Sequence, residues 1–278
     1  MFTTQSQIEA ASQPERSFPK RLGIFAYGLG CYLLGTASLT YAIGFVANAV
    51  VPKGINDGTV IDLVPALLIN TALLLVFVTQ HTIMARPWFK KWWTRFTPKS
   101  MERSTFVGAA GLSLAMVYFF WQPQPTVIYD VTNTIGRVAL ISLSMLGWAI
   151  LYSSSMMVSH CDLFGLRQVW LEFKRKPYID IGFRVIGFYR LVRHPLMTGI
   201  LLAVWATPTM TVGHLFFALM INGYIAFGVT LEERDLIAHF GERYRQYKRS
   251  VPAVIPFLKF RRAPQETTTA PIAATKVS

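Results

Sequence analysis

Four apolar runs, at about residues 22–48, 60–84, 105–121 and 136–158, are nearly free of charge. Each falls in the length range of a transmembrane helix, which starts at about 17 residues. Two shorter runs follow, 195–208 and 212–231. Charged residues make up 15% of the chain, against about 25% in a typical soluble domain. The expected fold is therefore all-α, a multi-pass transmembrane bundle of four long spans plus a short C-terminal hairpin, five to six spans in all. Leu196 to Pro208 is only 13 residues, about 20 Å as a helix against a hydrocarbon core of about 30 Å. Pro208 to Thr211 is read as the hairpin turn. Gly23, Gly28, Gly30, Gly35 and Gly44 in the first span are small residues of the kind that let membrane helices approach closely.

The net charge of +13 first suggests nucleic acid, but its distribution argues for topology. The N-terminal tail, residues 85–104, residues 159–194 and the C-terminal tail hold 25 of the 27 Lys and Arg. The loops 49–59 and 122–135 hold only Lys53. By the positive-inside rule the basic loops and both termini face the cytoplasm, with attraction to anionic lipid headgroups second. No nucleic-acid-binding motif accompanies the charge. No secretory signal peptide and no internal repeat are expected. Cys31 and Cys161 are the only cysteines, and neither a disulfide framework nor a Cys-based metal site is expected of them.

The resulting organisation is an N-terminal tail (1–21), transmembrane helices (22–158), a cytoplasmic interfacial segment (159–194), a hairpin with a C-terminal region (195–257) and a disordered tail (258–278). Arg86-Pro87-Trp88-Phe89-Lys90-Lys91-Trp92-Trp93 reads as an aromatic and basic belt at headgroup depth. His81, His160, Asp162, His194, Glu232 and Glu233 all fall at cytoplasmic ends of spans. In a bundle these groups can surround one cytoplasm-facing pocket, and ionisable residues at a lipid boundary are functional candidates. Plainer readings stand beside this one. His81 can hydrogen-bond a neighbouring helix, His160 with Asp162 can end a helix, and Glu232 and Glu233 can be a solvated helix end. No H-x-x-x-H spacing occurs, so no metal site is expected.

Three pieces then carry a resemblance: Arg193-His194-Pro195 with Gly199; Glu232-Glu233-x-x-Leu236; and Phe240-Gly241-x-x-Tyr244-x-x-Tyr247-x-x-x-Val251-Pro252-x-x-Ile255-Pro256. Together they resemble the signature of integral-membrane methyltransferases, which include isoprenylcysteine carboxyl methyltransferases and phospholipid N-methyltransferases. Further pieces are similar to the bacterial methanethiol S-methyltransferases: Gln80-His81-x-x-Met84-Ala85-Arg86-Pro87-Trp88-Phe89, Glu102-Arg103-Ser104-Thr105, His160-x-Asp162 through Val169, and Trp205-Ala206-Thr207-Pro208-Thr209-Met210. The wider family often has Tyr at the position of Met197 and an aromatic at that of Cys161.

The resemblance implies methyl transfer from S-adenosylmethionine to methanethiol, giving dimethyl sulfide and S-adenosylhomocysteine, at the inner membrane of a bacterium. It implies a cofactor site built from Arg167, Gln168, Tyr189, Arg193, His194, Pro195, Met197, Gly199, Glu232, Glu233 and Tyr244. Carboxylates such as Glu232 or Glu233 suit the donor's ammonium or ribose hydroxyls. Arg193 or Arg167 suits its carboxylate. His194 suits the amino-acid end, and Gly199 permits close backbone approach. Phe188, Tyr189 and Tyr244 are candidates to wall the adenine. The nucleophile is a thiolate, so a base is needed; His81, His160 and Asp162 are the catalytic candidates, and Asp162 can also orient a histidine. The expected partners are a small volatile thiol and membrane lipids, with no nucleic acid. Two alternatives remain at this point. One is a membrane methyltransferase for another small thiol, an isoprenylcysteine carboxylate or a phospholipid amine. The other is a non-enzymatic transporter or scaffold. A transporter calls for inverted repeats and midplane polar groups, and neither is apparent.

Overall fold

The computed structural model describes residues 16–256. The disordered tail expected at 258–278 and most of the N-terminal tail lie outside these residues. Five helices are long and apolar enough to cross a membrane. Helix α1 (Phe18–Ala47) opens with a proline in its first turn and closes on Asn48 in the left-handed conformation. Helix α2 (Leu63–Ala85) runs into the short α3 (Pro87–Trp93). Next come α4 (Glu102–Phe120) and α5 (Thr134–Val158), the latter capped by the Asn133 side chain accepting from the Gly136 N–H at 3.1 Å. Two short helices, α6 (His160–Leu163) and α7 (Leu166–Phe173), lead through coil to α8 (Pro195–Trp205). The long α9 (Val212–Phe240) and α10 (Glu242–Ser250) complete the order. The expected helical bundle is thus what the structure shows. Lipid would meet large exposed side chains such as Leu68, Leu75 and Leu146. Trp88, Trp92 and Phe96 stand exposed around α3, as the headgroup belt requires.

The helices meet where side chains are smallest. A Cβ built on Gly111 of α4 would lie 2.8 Å from Gly35 Cα of α1. One built on Gly199 of α8 would lie 2.5 Å from Gly147 O of α5. Of the first-span glycines, Gly28 packs on Val169 of α7 and Gly44 on Val51, while Gly23 and Gly30 meet nothing. Between these contacts Phe45, Val117, Trp121, Trp148, Leu151, Val204 and Phe217 form the main core.

One expectation needs correction. Thr209–Thr211 is a strand, β2, rather than a simple turn, and it pairs antiparallel with β1 (Val127–Asp130). Helix α8 has 11 residues, about 17 Å of rise. Chain that leaves a helix so early must still pair its backbone groups. The Val-Ile-Tyr run of β1 suits a pleated partner, and further bonds extend the pairing: Val131 N–H to Pro208 O, Val212 N–H to Thr126 O and Gly213 N–H to Gln124 O, each 2.9 Å. His214 is buried just beyond, its Nε2 2.7 Å from Val204 O. The sheet closes the end of the bundle opposite the Arg-His-Pro segment.

Candidate active site

At the other end, α9 carries Glu232 and Glu233 in its last turns, and the two do different things. Glu233 is 5% exposed. Its Oε1 receives Arg193 Nε at 2.7 Å and Nη2 at 2.6 Å, with His194 Nε2 at 3.2 Å, while Oε2 meets Lys248 Nζ at 2.5 Å. Arg193 Nη1 also donates to Lys248 O at 3.0 Å and to Val251 O. The 251–254 segment pairs with the start of α8: Arg193 N–H donates to Pro252 O, His194 N–H to Ala253 O and Thr198 Oγ1 to Val254 O. The C-terminal Val251-Pro252 piece and the Arg-His-Pro segment are therefore held together as one unit. Tyr247 donates to Tyr189 O at 2.5 Å, and Tyr244, Tyr247 and Val251 form a small second core with Phe183 against them. Burial pushes the Tyr247 hydroxyl up to about 12.

His194 is nearly enclosed, and burial alone would drive its proton off. The hydrogen-bonding carboxylates win: with Glu233 on Nε2 and Glu232 3.4 Å from Nδ1, its pKa is raised to about 9. It is an imidazolium at neutral pH. Glu232 itself has a half-exposed side chain. Its charge acts on His81, Arg103, Tyr189, His194, Tyr224 and Tyr244. Its field thus reaches groups at the ends of α2, α4, α8 and α9, while its direct ion pair is with His194.

Asp162 belongs to a second cluster. Its Oδ1 accepts from Arg167 Nη1 at 3.0 Å and its Oδ2 from the Tyr178 hydroxyl at 3.1 Å, while Gln168 Nε2 donates to its backbone carbonyl at 3.1 Å. Burial and the Asp162 carboxylate push Tyr178 up to about 12. Arg167 also donates to Ile179 O and lies 5.1 Å from the Tyr178 ring centroid. Asp162 therefore holds an arginine, not a histidine. His160 points elsewhere: its Nδ1 is 2.9 Å from Ser155 Oγ, and its ring stacks on Phe164 at 4.3 Å and meets Tyr32 edge-on. Burial lowers its pKa. The loop between the short helices is fixed by Gly165 at φ +83, where a Cβ would strike Ser104 N at 2.6 Å.

His81 sits among Phe77, Phe106 and Tyr224, with Nδ1 buried and unpartnered among the described residues. Gln168 Oε1 and the Tyr244 hydroxyl are likewise buried without a partner. Pro195 is buried in the first turn of α8, and Met197 follows it half-buried. Gly199 gives its close approach to α5, as described above. Among the described residues no group of three or more His, Cys, Asp or Glu side chains is arranged to hold a metal.

No family model matches the chain, and no solved structure does. Curated proteins do. A methanethiol S-methyltransferase of Mycobacterium tuberculosis is 47% identical over 238 residues, covering 86% of this chain and 98% of that one. The chain belongs to the methanethiol S-methyltransferases. A second member, from Crocosphaera subtropica, is 45% identical over 87% of this chain and 95% of its own, and methanethiol S-methyltransferase 2 of Bradyrhizobium diazoefficiens is 46% identical over 87% and 93%. For a methanethiol S-methyltransferase the geometry above adds residues that sequence reading passed over. Lys248 and the carbonyls of 251–254 were invisible because they act through backbone or across helices. Arg103 was in view within Glu102-Arg103-Ser104-Thr105, and the signal for it was an ionisable side chain at the edge of a span.

Proposed function

We propose that this chain methylates methanethiol with S-adenosylmethionine, releasing dimethyl sulfide and S-adenosylhomocysteine. The observation that carries the reading is the 47% identity running through 98% of the Mycobacterium tuberculosis protein. The buried, unpartnered His81 Nδ1, Gln168 Oε1 and Tyr244 hydroxyl support it, since buried polar atoms without partners mark places where a ligand completes the hydrogen bonding. Glu232 would hold the donor's ammonium or ribose hydroxyls, His194 its amino-acid end, Gln168 a further polar group, and Tyr189 and Tyr244 the adenine. Glu233, Arg193 and Pro195 shape the same wall from behind. When bound, S-adenosylmethionine supplies a methyl group on a sulfonium centre.

The residues of the chain do the rest. Methanethiol is a poor nucleophile until it loses its proton. Of the three candidate bases, His160 is engaged with Ser155, and Asp162 is engaged with Arg167 and Tyr178. His81 retains an uncommitted nitrogen facing no partner. It takes the thiol proton, and its aromatic surround of Phe77, Phe106 and Tyr224 keeps water from the sulfur. His160 then serves to place α6 and Asp162 to place Arg167. The protein lies in the cytoplasmic membrane of a bacterium with both termini in the cytoplasm, a reading supported by the 25 of 27 basic residues on one set of loops. Residues 195–257 form the C-terminal part of the donor-binding region, and the interfacial segment 159–194 adds Gln168, Tyr189 and His194 to it.

Headspace gas chromatography on purified, detergent-solubilised protein tests the proposal. Dimethyl sulfide should form only with protein, methanethiol and S-adenosylmethionine together. Folded protein that binds S-adenosylhomocysteine but yields no dimethyl sulfide would remove methanethiol as acceptor. Absence of both product and binding would remove the methyl-transfer reading.

A further inference from the structure

Arg193, Arg167 and Arg103 lie at the site, and the first two have spent their guanidinium nitrogens inside the protein. Arg193 uses all of its nitrogens on Glu233, Lys248 O and Val251 O. Arg167 uses both Nη atoms on Asp162 and Ile179 O. Arg103, at the start of α4, differs. Its Nε donates to Leu163 O at 2.6 Å. Among the described residues neither Nη has a hydrogen-bond or ion-pair partner, although Glu102, Asp162 and Glu232 act on it from further away. The side chain is only partly exposed and packs 5.0 Å from the centroid of Phe106. The imidazole of His81 also packs on that ring, 4.7 Å between centroids. A guanidinium drawn out of water without a direct counter-charge is unfavourable, and it forms strong, directional bonds to an anion that reaches it. Its position is fixed from behind, because Ser104 Oγ donates to Gly165 O at 3.0 Å and ties α4 to the same loop as Leu163.

We infer that Arg103 is the anion-binding residue of the site, its free Nη edge receiving the negative group of a reactant beside His81. Two groups share that chemistry, the acceptor thiolate and the carboxylate at the donor's amino-acid end. The inference rests on the methyl-transfer reading of this pocket. It replaces Arg193 and Arg167 as partners for an anionic ligand, since both are already neutralised.

The test uses full-length protein in detergent, wild type beside Arg103→Gln and Arg103→Lys, each first shown to be folded by its melting curve. Calorimetry with S-adenosylhomocysteine reads the carboxylate arm. Ultraviolet absorbance of bound methanethiolate against pH, with S-adenosylhomocysteine present, reads the thiolate arm. If the anion is the carboxylate, Arg103→Gln weakens S-adenosylhomocysteine about tenfold or more and leaves the thiol titration in place. If it is the thiolate, S-adenosylhomocysteine binding holds and the thiolate fraction at a given pH falls about tenfold. Arg103→Lys, which keeps the charge and loses the planar fork, shows a smaller loss in the same arm. Should Arg103→Gln not fold, the Lys variant alone carries the test. Folded variants unchanged in both arms overturn the inference. The wild-type headspace assay separates the two claims: S-adenosylhomocysteine binding that depends on Arg103, without dimethyl sulfide, sinks methanethiol as acceptor and leaves Arg103 standing.

Discussion

Replacing Glu233 with Gln removes one charge and almost no volume, so its effect isolates the electrostatics of the site's scaffold. Three cations meet on this carboxylate. Lys248 is 43% exposed, and its share is about 1 kcal/mol or less. Arg193, with a side chain only 9% exposed, is left as a buried charge, which typically costs about 3–5 kcal/mol. His194 is raised from 6.5 to about 9; at about 1.4 kcal/mol per pH unit, the surplus of its contacts to Glu232 and Glu233 over the cost of burial is on the order of 3 kcal/mol. The contributions share one carboxylate and do not add. A loss of about 4 kcal/mol at neutral pH is expected, and at roughly 2–4 °C per kcal/mol the Tm falls on the order of 10 °C. The His194 part has its own pH window. A histidine raised on folding contributes in full below its unfolded value and loses that contribution as pH rises through its folded value. Wild-type Tm should therefore decline as pH rises from 7 through about 9, and Glu233→Gln should decline less. Thermal unfolding in detergent, followed by tryptophan fluorescence across pH, reads both. A drop below about 3 °C at pH 7, or a variant profile parallel to wild type, would refute the argument.

Other substitutions probe other parts. Glu232→Gln should weaken S-adenosylhomocysteine about tenfold by calorimetry, the worth of one charge-assisted hydrogen bond, with a smaller loss of Tm than at Glu233; unchanged affinity would remove Glu232 from the donor site. His81→Phe keeps the aromatic packing and removes both nitrogens. It should lower kcat about 10²–10⁴-fold while S-adenosylhomocysteine still binds, and the deficit should shrink at high pH where methanethiolate forms unaided. A deficit independent of pH would argue against His81 as base. Gly199→Ala drives a methyl against Gly147 O and should cost about 1–3 kcal/mol, visible as a lower Tm; an unchanged Tm would show that α5 and α8 yield at no cost.

The membrane helices were legible because an apolar run of this length has few other fates. The divided labour of Glu232 and Glu233 was not. Neighbours on a helix point about 100° apart, and which one faces Arg193 depends on where α8 and α10 pack. His160 and Asp162 look like a pair at two residues' spacing. Ser159, at φ 113, breaks the helix between α5 and α6, and beyond it the imidazole meets Ser155 while the carboxylate meets Arg167. The β1–β2 pairing joins segments about eighty residues apart, and neither carries a local signal of its partner. Arg103 stands within Glu102-Arg103-Ser104-Thr105, and its free edge is a property of the folded chain, set by Leu163 O taking its Nε alone.

The small sheet matters beyond its size. It anchors the far end of the α8–α9 hairpin, with Thr209 Oγ1 also on Asp130 at 2.5 Å and Thr211 Oγ1 on Asn56 at 2.8 Å. From that anchor α9 reaches Glu232 as a lever arm of about 30 Å. A pivot error of about 2° there displaces the carboxylate by about 1 Å, a misplacement that can cost about a hundredfold in rate. The position of Glu232 is thus set from the end of the bundle opposite the proposed donor site.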